Sequence, residues 1–241
     1  MPRFLITGSS DPRGLGMQTA HRLLAAGHSV VLHARSPSRA AEAKSACPQA
    51  SAVLVGDLSS STETKTFASE ANELGPYEAV IHNAAIYTSS TPGDIFRVNV
   101  LAPYILTSLM DKPKRLVYVS SGLHRSGVIP GSNLQKMNYN DSKLAMVMFA
   151  KAFSRKLDVD CYAVDPGWVP TKMGGAGATG DLDEGVKTFV MAALGEGAAK
   201  GRKEGYFAGS KLEGVSALAE DQGAQNKLLG ELASISGVTV E

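Results

Sequence analysis

An α/β fold, built on one parallel sheet of about seven strands with helices on both faces, is predicted by three features of the sequence. Apolar runs of strand length recur at 4–7, 29–32, 52–55, 79–82, 115–120 and 160–164, with a weaker one at 205–208. These runs are apolar throughout rather than alternating, which is the pattern of strands covered on both sides. Stretches of helix length separate them, so the chain reads as a βαβ unit repeated along its length. No internal repeat beyond that alternation, no low-complexity segment and no linker interrupts it, and residues 1–241 are expected to form a single domain.

With 241 residues, 44% hydrophobic and 20% charged, the chain can bury a full core. A formal net charge of +1 and the lack of any Lys/Arg block argue against a nucleic-acid or polyanion binder and favour a small-molecule partner. Cys47 and Cys161 stand alone, without CxxC or Cys/His spacing, so neither a disulfide framework nor a metal site is expected. The first apolar run, Phe4-Leu5-Ile6, is too short for a signal-peptide core. No stretch approaches the roughly 18 apolar residues of a membrane span, and a cytoplasmic location without membrane association is the expectation.

The first strand runs into Thr7-Gly8-Ser9-Ser10-Asp11-Pro12-Arg13-Gly14-Leu15-Gly16 and then a helix whose inward face is Leu15, Thr19, Leu23 and Ala26. Glycines between strand and helix let backbone approach a pyrophosphate at the helix N-terminus, where free N–H groups and the dipole favour negative charge. The segment predicts a dinucleotide site and makes the sheet a Rossmann-type, doubly wound one. After the second strand, Ala34 occupies the place where an NAD site usually holds an acidic residue, and Arg35 follows. Arg35 and Arg13 can pair with a 2′-phosphate, which predicts NADP(H) as cofactor; the alternative is that both are surface charges.

Further along, Asp57 in Gly56-Asp57-Leu58 can accept the adenine amino group or serve a helix start. Asn83-Ala84-Ala85 after the fourth strand combines a side chain able to bridge strand ends with small residues that permit close approach. Asn99, inside a predicted helix over 95–109, is unfavourable there and calls for a polar partner. Ser120 and Ser121 close the fifth strand at the carboxyl edge of the sheet, where either can donate to a substrate oxygen or cap backbone. Tyr139 and Lys143 lie four apart at the start of a helix predicted to run to Leu157, with Cβ atoms roughly 6 Å apart on one face. An ammonium beside a phenol favours the phenolate and is expected to pull its pKa down from about 10, so that Tyr139 can trade a proton with an alcohol or carbonyl.

Taken in order, the Thr7–Gly16 turn, Asp57, Asn83-Ala84-Ala85, Asn99, Ser121, Tyr139-x-x-x-Lys143 and Pro166-Gly167 through Thr171 resemble the short-chain dehydrogenase/reductase family over nearly the whole chain. Ser120–His124, Tyr139–Met146 and Gly205–Phe207 look most like its retinol-dehydrogenase-like branch. The resemblance implies a nicotinamide-dependent oxidoreductase. In it Tyr139 is the general acid/base, Lys143 lowers its pKa and holds the nicotinamide ribose, Ser121 polarises the substrate oxygen, and Asn99 holds a water linking Lys143 to solvent. It further implies a cofactor site of Gly8, Ser10, Arg13, Gly14, Leu15, Gly16, Arg35, Asp57, Leu58, Asn83, Ala84, Ala85, Pro166, Gly167, Val169 and Thr171. Asn83 would border the adenosine, with Val169 and Thr171 on the nicotinamide side.

Two departures stand out. Five residues, Ser9–Arg13, separate the first two glycines where the family usually has three, and Pro12 among them has no N–H; the extra pair is expected to bulge outward. Ser121 precedes Tyr139 by eighteen residues, so Arg125–Asn138 is expected to form a loop beside the pocket. Ile86, His124, Trp168 and Met173 suggest a largely apolar pocket for a hydrophobic ketone, aldehyde or secondary alcohol, although Trp168 can equally be core. The glycine-rich Gly174–Gly180 reads as a mobile loop. The helix from Leu144 is apolar all round, which points to a homo-oligomer or to cover from the C-terminal segment. Two rivals share the cofactor fold: a non-catalytic NADP(H) sensor, and a sugar-nucleotide epimerase or dehydratase.

Overall fold

The computed structural model describes residues 1–131 and 133–240. In chain order the elements are β1 (Arg3–Ile6), α1 (Leu15–Ala25), β2 (Ser29–Ala34), α2 (Pro37–Ala46), β3 (Ala52–Val55), α3 (Ser61–Leu74), β4 (Ala79–His82) and α4 (Asp94–Phe96). A π-helical turn (Arg97–Leu101) leads into α5 (Ala102–Leu109), followed by β5 (Arg115–Val119), α6 (Tyr139–Leu157), β6 (Asp160–Asp165) and α7 (Leu182–Leu194). The chain ends in β7 (Glu204–Ala208), β8 (Lys211–Glu213), α8 (Ala217–Glu220) and α9 (Gln222–Ser236).

One sheet, in the order β3-β2-β1-β4-β5-β6-β7-β8, carries the fold. The first seven strands are parallel and the last pair is antiparallel. Because side chains alternate across a strand, each apolar run feeds two cores. Phe4, Ile6, Leu32, Ile81, Val117 and Val164 pack with α1 and α7 residues such as Leu23 and Phe189. Leu5, Val31, Val80, Leu116 and Ala163 pack on the other face with Phe67 of α3, Tyr104 of α5 and much of α6. Strand order reverses between β1 and β4, and the crevice at their carboxyl ends is where such sheets take ligands.

Among the described residues eight strands are present where about seven were predicted. The added edge strand, Lys-Leu-Glu, is exposed throughout and is defined by its pairing with β7 rather than by an apolar pattern. Gly209 and Ser210, with φ of 53° and 58°, form the two-residue turn that joins the pair. A left-handed serine is held there because its N–H donates to Thr188 Oγ1 (2.9 Å) and its hydroxyl to Glu184 Oε1 (2.7 Å).

The helix predicted over 95–109 is broken by the π-helical turn around Asn99. α6 begins at Tyr139 as predicted. Its N-cap is Asn138, whose side chain accepts from Asp141 N, while the Asp141 carboxylate accepts from Asn138 N (3.0 Å) and Val128 N (2.8 Å). The girth of α6 is covered inside the chain: Ala219 of α8 and Leu228, Leu229 and Leu232 of α9 share its core. Tyr104 donates to Val238 O (2.9 Å) and Lys65 to Ser236 O (2.8 Å), which ties that segment down. The apolar outer face therefore needs no second subunit to explain it. No helix among the described residues is long and apolar enough to cross a membrane.

One polar cluster sits inside the α5–α6 layer. His82 stacks on Tyr118 at 4.9 Å, and Thr107 lies within hydrogen-bond reach of both, at 3.2 Å and 2.9 Å. Burial pushes His82 down to about 3, so the folded state keeps it neutral while the unfolded chain protonates it near 6.5. Stability from this group is complete above pH 6.5 and is lost as pH falls from there toward 3, by about 1.4 kcal/mol per pH unit. Urea midpoints measured from pH 7 to 4 are expected to fall more steeply for the wild-type protein than for His82→Phe. Equal slopes would contradict this.

Candidate functional site

Four elements meet at the carboxyl ends of β4, β5 and β6. Tyr139 opens α6, and the Lys143 Nζ lies 5.1 Å from its ring centroid. The Lys143 ammonium is buried and donates to the Val119 carbonyl at the end of β5 (2.8 Å). Ser120 answers in the other direction, donating from Oγ to Lys143 O at 2.8 Å. That contact separates the two serines: Ser120 is spent on backbone, whereas Ser121 Oγ only accepts a long bond from Leu123 N (3.3 Å) and keeps its hydrogen to donate.

Asn99 finds the polar partner its position demands. Its Oδ1 accepts from Ile86 N (2.8 Å), and its Nδ2 donates to Ile86 O (2.9 Å) and Ser142 Oγ (3.1 Å). The side chain thus staples the segment after β4 to α6, one residue from Lys143. Both ends of the side chain are thereby engaged with protein.

The electrostatics correct one expectation. Tyr139 is pushed up to about 12, first by burial and then by the Asp165 carboxylate and Tyr87. Lys143 is pushed down to about 8 by its own burial, against the pull of Asp165. An ammonium at 5.1 Å, already bonded to a carbonyl, does not outweigh desolvation and a nearby anion. Tyr139 is therefore a protonated phenol at neutral pH. Asp165, which the sequence did not single out, belongs to this centre. It ends β6, accepts from Gly167 N (2.8 Å) and from Tyr206 Oη (3.1 Å), and faces Tyr139, Lys143 and His124. Tyr87, edge-on to Tyr139 at 4.8 Å, was missed too.

Beside this centre the glycine turn forms a cradle. A Cβ on Gly8 (φ +65°) would lie 2.7 Å from Ala84 Cα, and one on Gly16 would lie 2.7 Å from Asn83 Nδ2, so glycine is required at both. Asn83 bridges the strand ends as expected, donating to Thr7 O (2.8 Å) and Gly8 O (3.0 Å). Gly14 is the N-cap of α1 and offers no side chain to its first N–H groups, which leaves them for an anion. The lengthened stretch is organised by Asp11, whose Oδ1 accepts from Arg13 N (3.0 Å) and whose carbonyl accepts from Gly14 N (2.9 Å). Pro12 and Arg13 are exposed, so the extra pair does bulge outward, and Arg35 is exposed just past β2. Close-approach glycines, an uncapped helix start and free arginines fit a phosphate-bearing dinucleotide.

Other predicted residues fall less simply. Asp57 Oδ1 accepts from Ser59 N and Oγ (both 2.8 Å), while the N-cap of α3 is Ser60. Leu58 is corrected: its side chain is 5% exposed and belongs to the core, so only its backbone can face a cofactor. His124 is also corrected. The short 3₁₀ turn Gly122–Ser126 rolls it inward, fully buried against Tyr206 (4.7 Å) with Nδ1 on Ser121 O (2.8 Å), so it is not an open pocket wall. Trp168 and Met173 are exposed beside the cleft, and Trp168 Nε1 donates to Gly174 O (2.9 Å). Gly174–Gly180, expected to be mobile, is folded onto that tryptophan by Gly180 N to Trp168 O (2.8 Å) and Gly175 N to Thr171 O (2.9 Å). Val169 is buried, Thr171 Oγ1 accepts from Gly174 N (3.3 Å), and Pro166-Gly167 makes the turn out of β6. Ser10 and Ala85 lie half-buried at the edge of the cradle. The 125–138 loop, of which residue 132 lies outside the described residues, packs on the start of α6 through Asn140 Nδ2 to Ser126 Oγ (3.0 Å).

An uncharacterized oxidoreductase of Emericella nidulans is 46% identical over the full length of this chain and 99% of its own. The short-chain dehydrogenase chyC of Penicillium rubens is 40% identical, covering 81% of this chain and 82% of that protein. Retinol dehydrogenase 14 of Mus musculus is 32% identical over 70% of this chain and 62% of its own. Among solved structures, a metagenomic blue fluorescent protein in complex with NADPH superposes with a TM-score of 0.69 at 20% identity, over 86% of this chain and 95% of that one. The model of the short chain dehydrogenase family matches residues 3–180, and the chain accordingly belongs to the short-chain dehydrogenase/reductase family of oxidoreductases.

Proposed function

We propose that the protein is an NADP(H)-dependent reductase of hydrophobic ketones or aldehydes. The observation that carries this reading is the buried Tyr139–Lys143 pair, with a protonated phenol, set at the same sheet edge as the Gly8–Gly16 cradle. Ala34 in place of an acid, together with exposed Arg13 and Arg35, supports a 2′-phosphate. NADPH bound there would supply a hydride to the carbonyl carbon. Tyr139 gives its proton to the carbonyl oxygen, and a phenol held protonated across neutral pH suits that direction. Ser121 orients the same oxygen with its free hydroxyl hydrogen. The buried Lys143 ammonium keeps a positive charge beside the phenol as the proton leaves. Ile86, Trp168 and Met173 edge the cleft and favour an apolar substrate.

Turnover of a panel of ketones and aldehydes, followed at the nicotinamide absorbance, is expected with NADPH in preference to NADH. Tyr139→Phe should lower kcat by about 10²–10⁴-fold while leaving NADPH binding within about twofold. Turnover of no substrate, with unchanged cofactor binding in the variant, would instead indicate a dinucleotide sensor.

A second expectation concerns pH. Asp165 raises both Tyr139 and Lys143, so Asp165→Asn, whose amide oxygen can still accept from Gly167 N while its NH2 donates to Tyr206 Oη, removes that support. The alkaline limb of the kcat/KM profile, where the phenol or ammonium loses its proton, should move to lower pH in this variant. An unmoved limb would show that Asp165 acts only on local structure.

A further inference from the structure

His33 lies next to the last residue of β2, away from the reacting groups, yet its ring joins two loops of the cofactor cradle. The side chain is 3% exposed. Nδ1 lies 2.8 Å from the Gly8 amide and Nε2 lies 2.9 Å from the Gly56 carbonyl. An amide N–H only donates and a carbonyl only accepts, so these two partners dictate an unprotonated Nδ1 and a protonated Nε2. The ring is thereby neutral and in one tautomer. Its first partner is the left-handed glycine that opens the turn, and its second precedes Asp57 at the end of β3. The backbone joins in: His33 N donates to Ser9 Oγ (3.0 Å), and that hydroxyl donates to Ile6 O (2.8 Å). Phe67 of α3 meets the ring edge-on at 5.0 Å and 87°.

We propose that His33 is a positioning residue for the dinucleotide cradle, holding the Gly8 amide and the Gly56 carbonyl in place only while its ring is neutral, so that cofactor affinity falls when the ring gains a proton. The proposal rests on the NADP(H) reading of the site. A second ring proton would sit on Nδ1 and point at the Gly8 N–H, setting donor against donor in the turn that approaches the phosphates. Asp57, just past β3, is the charged group that acts on the ring, and the Glu63 carboxylate of α3 accepts from the Asp57 amide (2.8 Å); Gly8 and Ser9 of the glycine turn and Phe67 of α3 also touch His33. Burial holds the ring below its ordinary pKa of 6.5, with the Gly56 bond and Asp57 opposing in part. The sign follows: the neutral ring binds cofactor at pH 8, and affinity is lost as pH falls through the ring's depressed pKa.

The test compares NADPH and NADH dissociation constants, read by fluorescence titration from pH 8 to pH 5, in wild type, His33→Asn and His33→Leu. Asn retains an acceptor for Gly8 and does not titrate, so any acid effect that belongs to the cofactor's own phosphate persists in it. Wild type should lose about tenfold more NADPH affinity over this range than His33→Asn, and His33→Leu should bind about tenfold more weakly than wild type already at pH 8. In the free protein, ¹⁵N shifts of His33 should report the Nε2–H tautomer, and the Gly8 amide should exchange faster in His33→Leu than in His33→Asn. Cofactor binding with the same pH profile in wild type and His33→Asn, or an Nδ1–H tautomer, would overturn the role alone. Failure of both dinucleotides to bind wild type would overturn the cofactor reading and the role with it.

Discussion

Burial of the Lys143 ammonium against the end of β5 is the constraint on which the rest of the site depends. A lysine taken out of water must find a strong acceptor, and the carbonyl of Val119 supplies one at 2.8 Å. Ser120 returns a hydroxyl to the Lys143 carbonyl, so the first turn of α6 is pinned to the strand end from both sides. Tyr139, one turn earlier, is fixed by the same attachment, and the Asn138–Asp141 capping box sets where the helix begins. Asn99 adds a third tie through Ser142 and carries the segment after β4 with it. Without the cover of α8 and α9 the helix that bears these residues would show an apolar face to water.

The cofactor side is built by a different logic, that of close approach. Two glycines are required because backbone and the Asn83 side chain already fill the space of a Cβ. Thr7 Oγ1 accepts from both Asn83 N and Ala84 N at 3.0 Å, locking β1 to β4 at the point where strand order reverses. His33 extends that lock to β3. The Tyr139–Lys143 centre and the glycine cradle thus share strand ends along one edge of the sheet.

Much of this was legible from residues. Seven strands announced themselves because covered parallel strands are apolar at every position, whereas β8, with a single leucine between two charges, exists only through its bonds to β7. Tyr139, Lys143, Asn83 and the glycine turn were readable because spacing alone places them. What stayed hidden depended on direction and solvent. His124 looked like pocket wall until its turn rolled it under Ser121, and Leu58 sits beside Asp57 in sequence but inside the core in space. The expected fall of the Tyr139 pKa assumed that spacing to Lys143 decides it, while burial and Asp165, which spacing cannot weigh, decide it the other way. His33 gave no signal at all, since its role lies in two backbone groups distant in sequence.

The most direct test of the account follows the hydride itself. Reduction of a hydrophobic ketone with NADPH carrying deuterium on the transferable C4 position should place one deuterium on the carbinol carbon of the product, as read by mass spectrometry. Product formed without that label, or consumption of labelled cofactor with no alcohol formed, would contradict it.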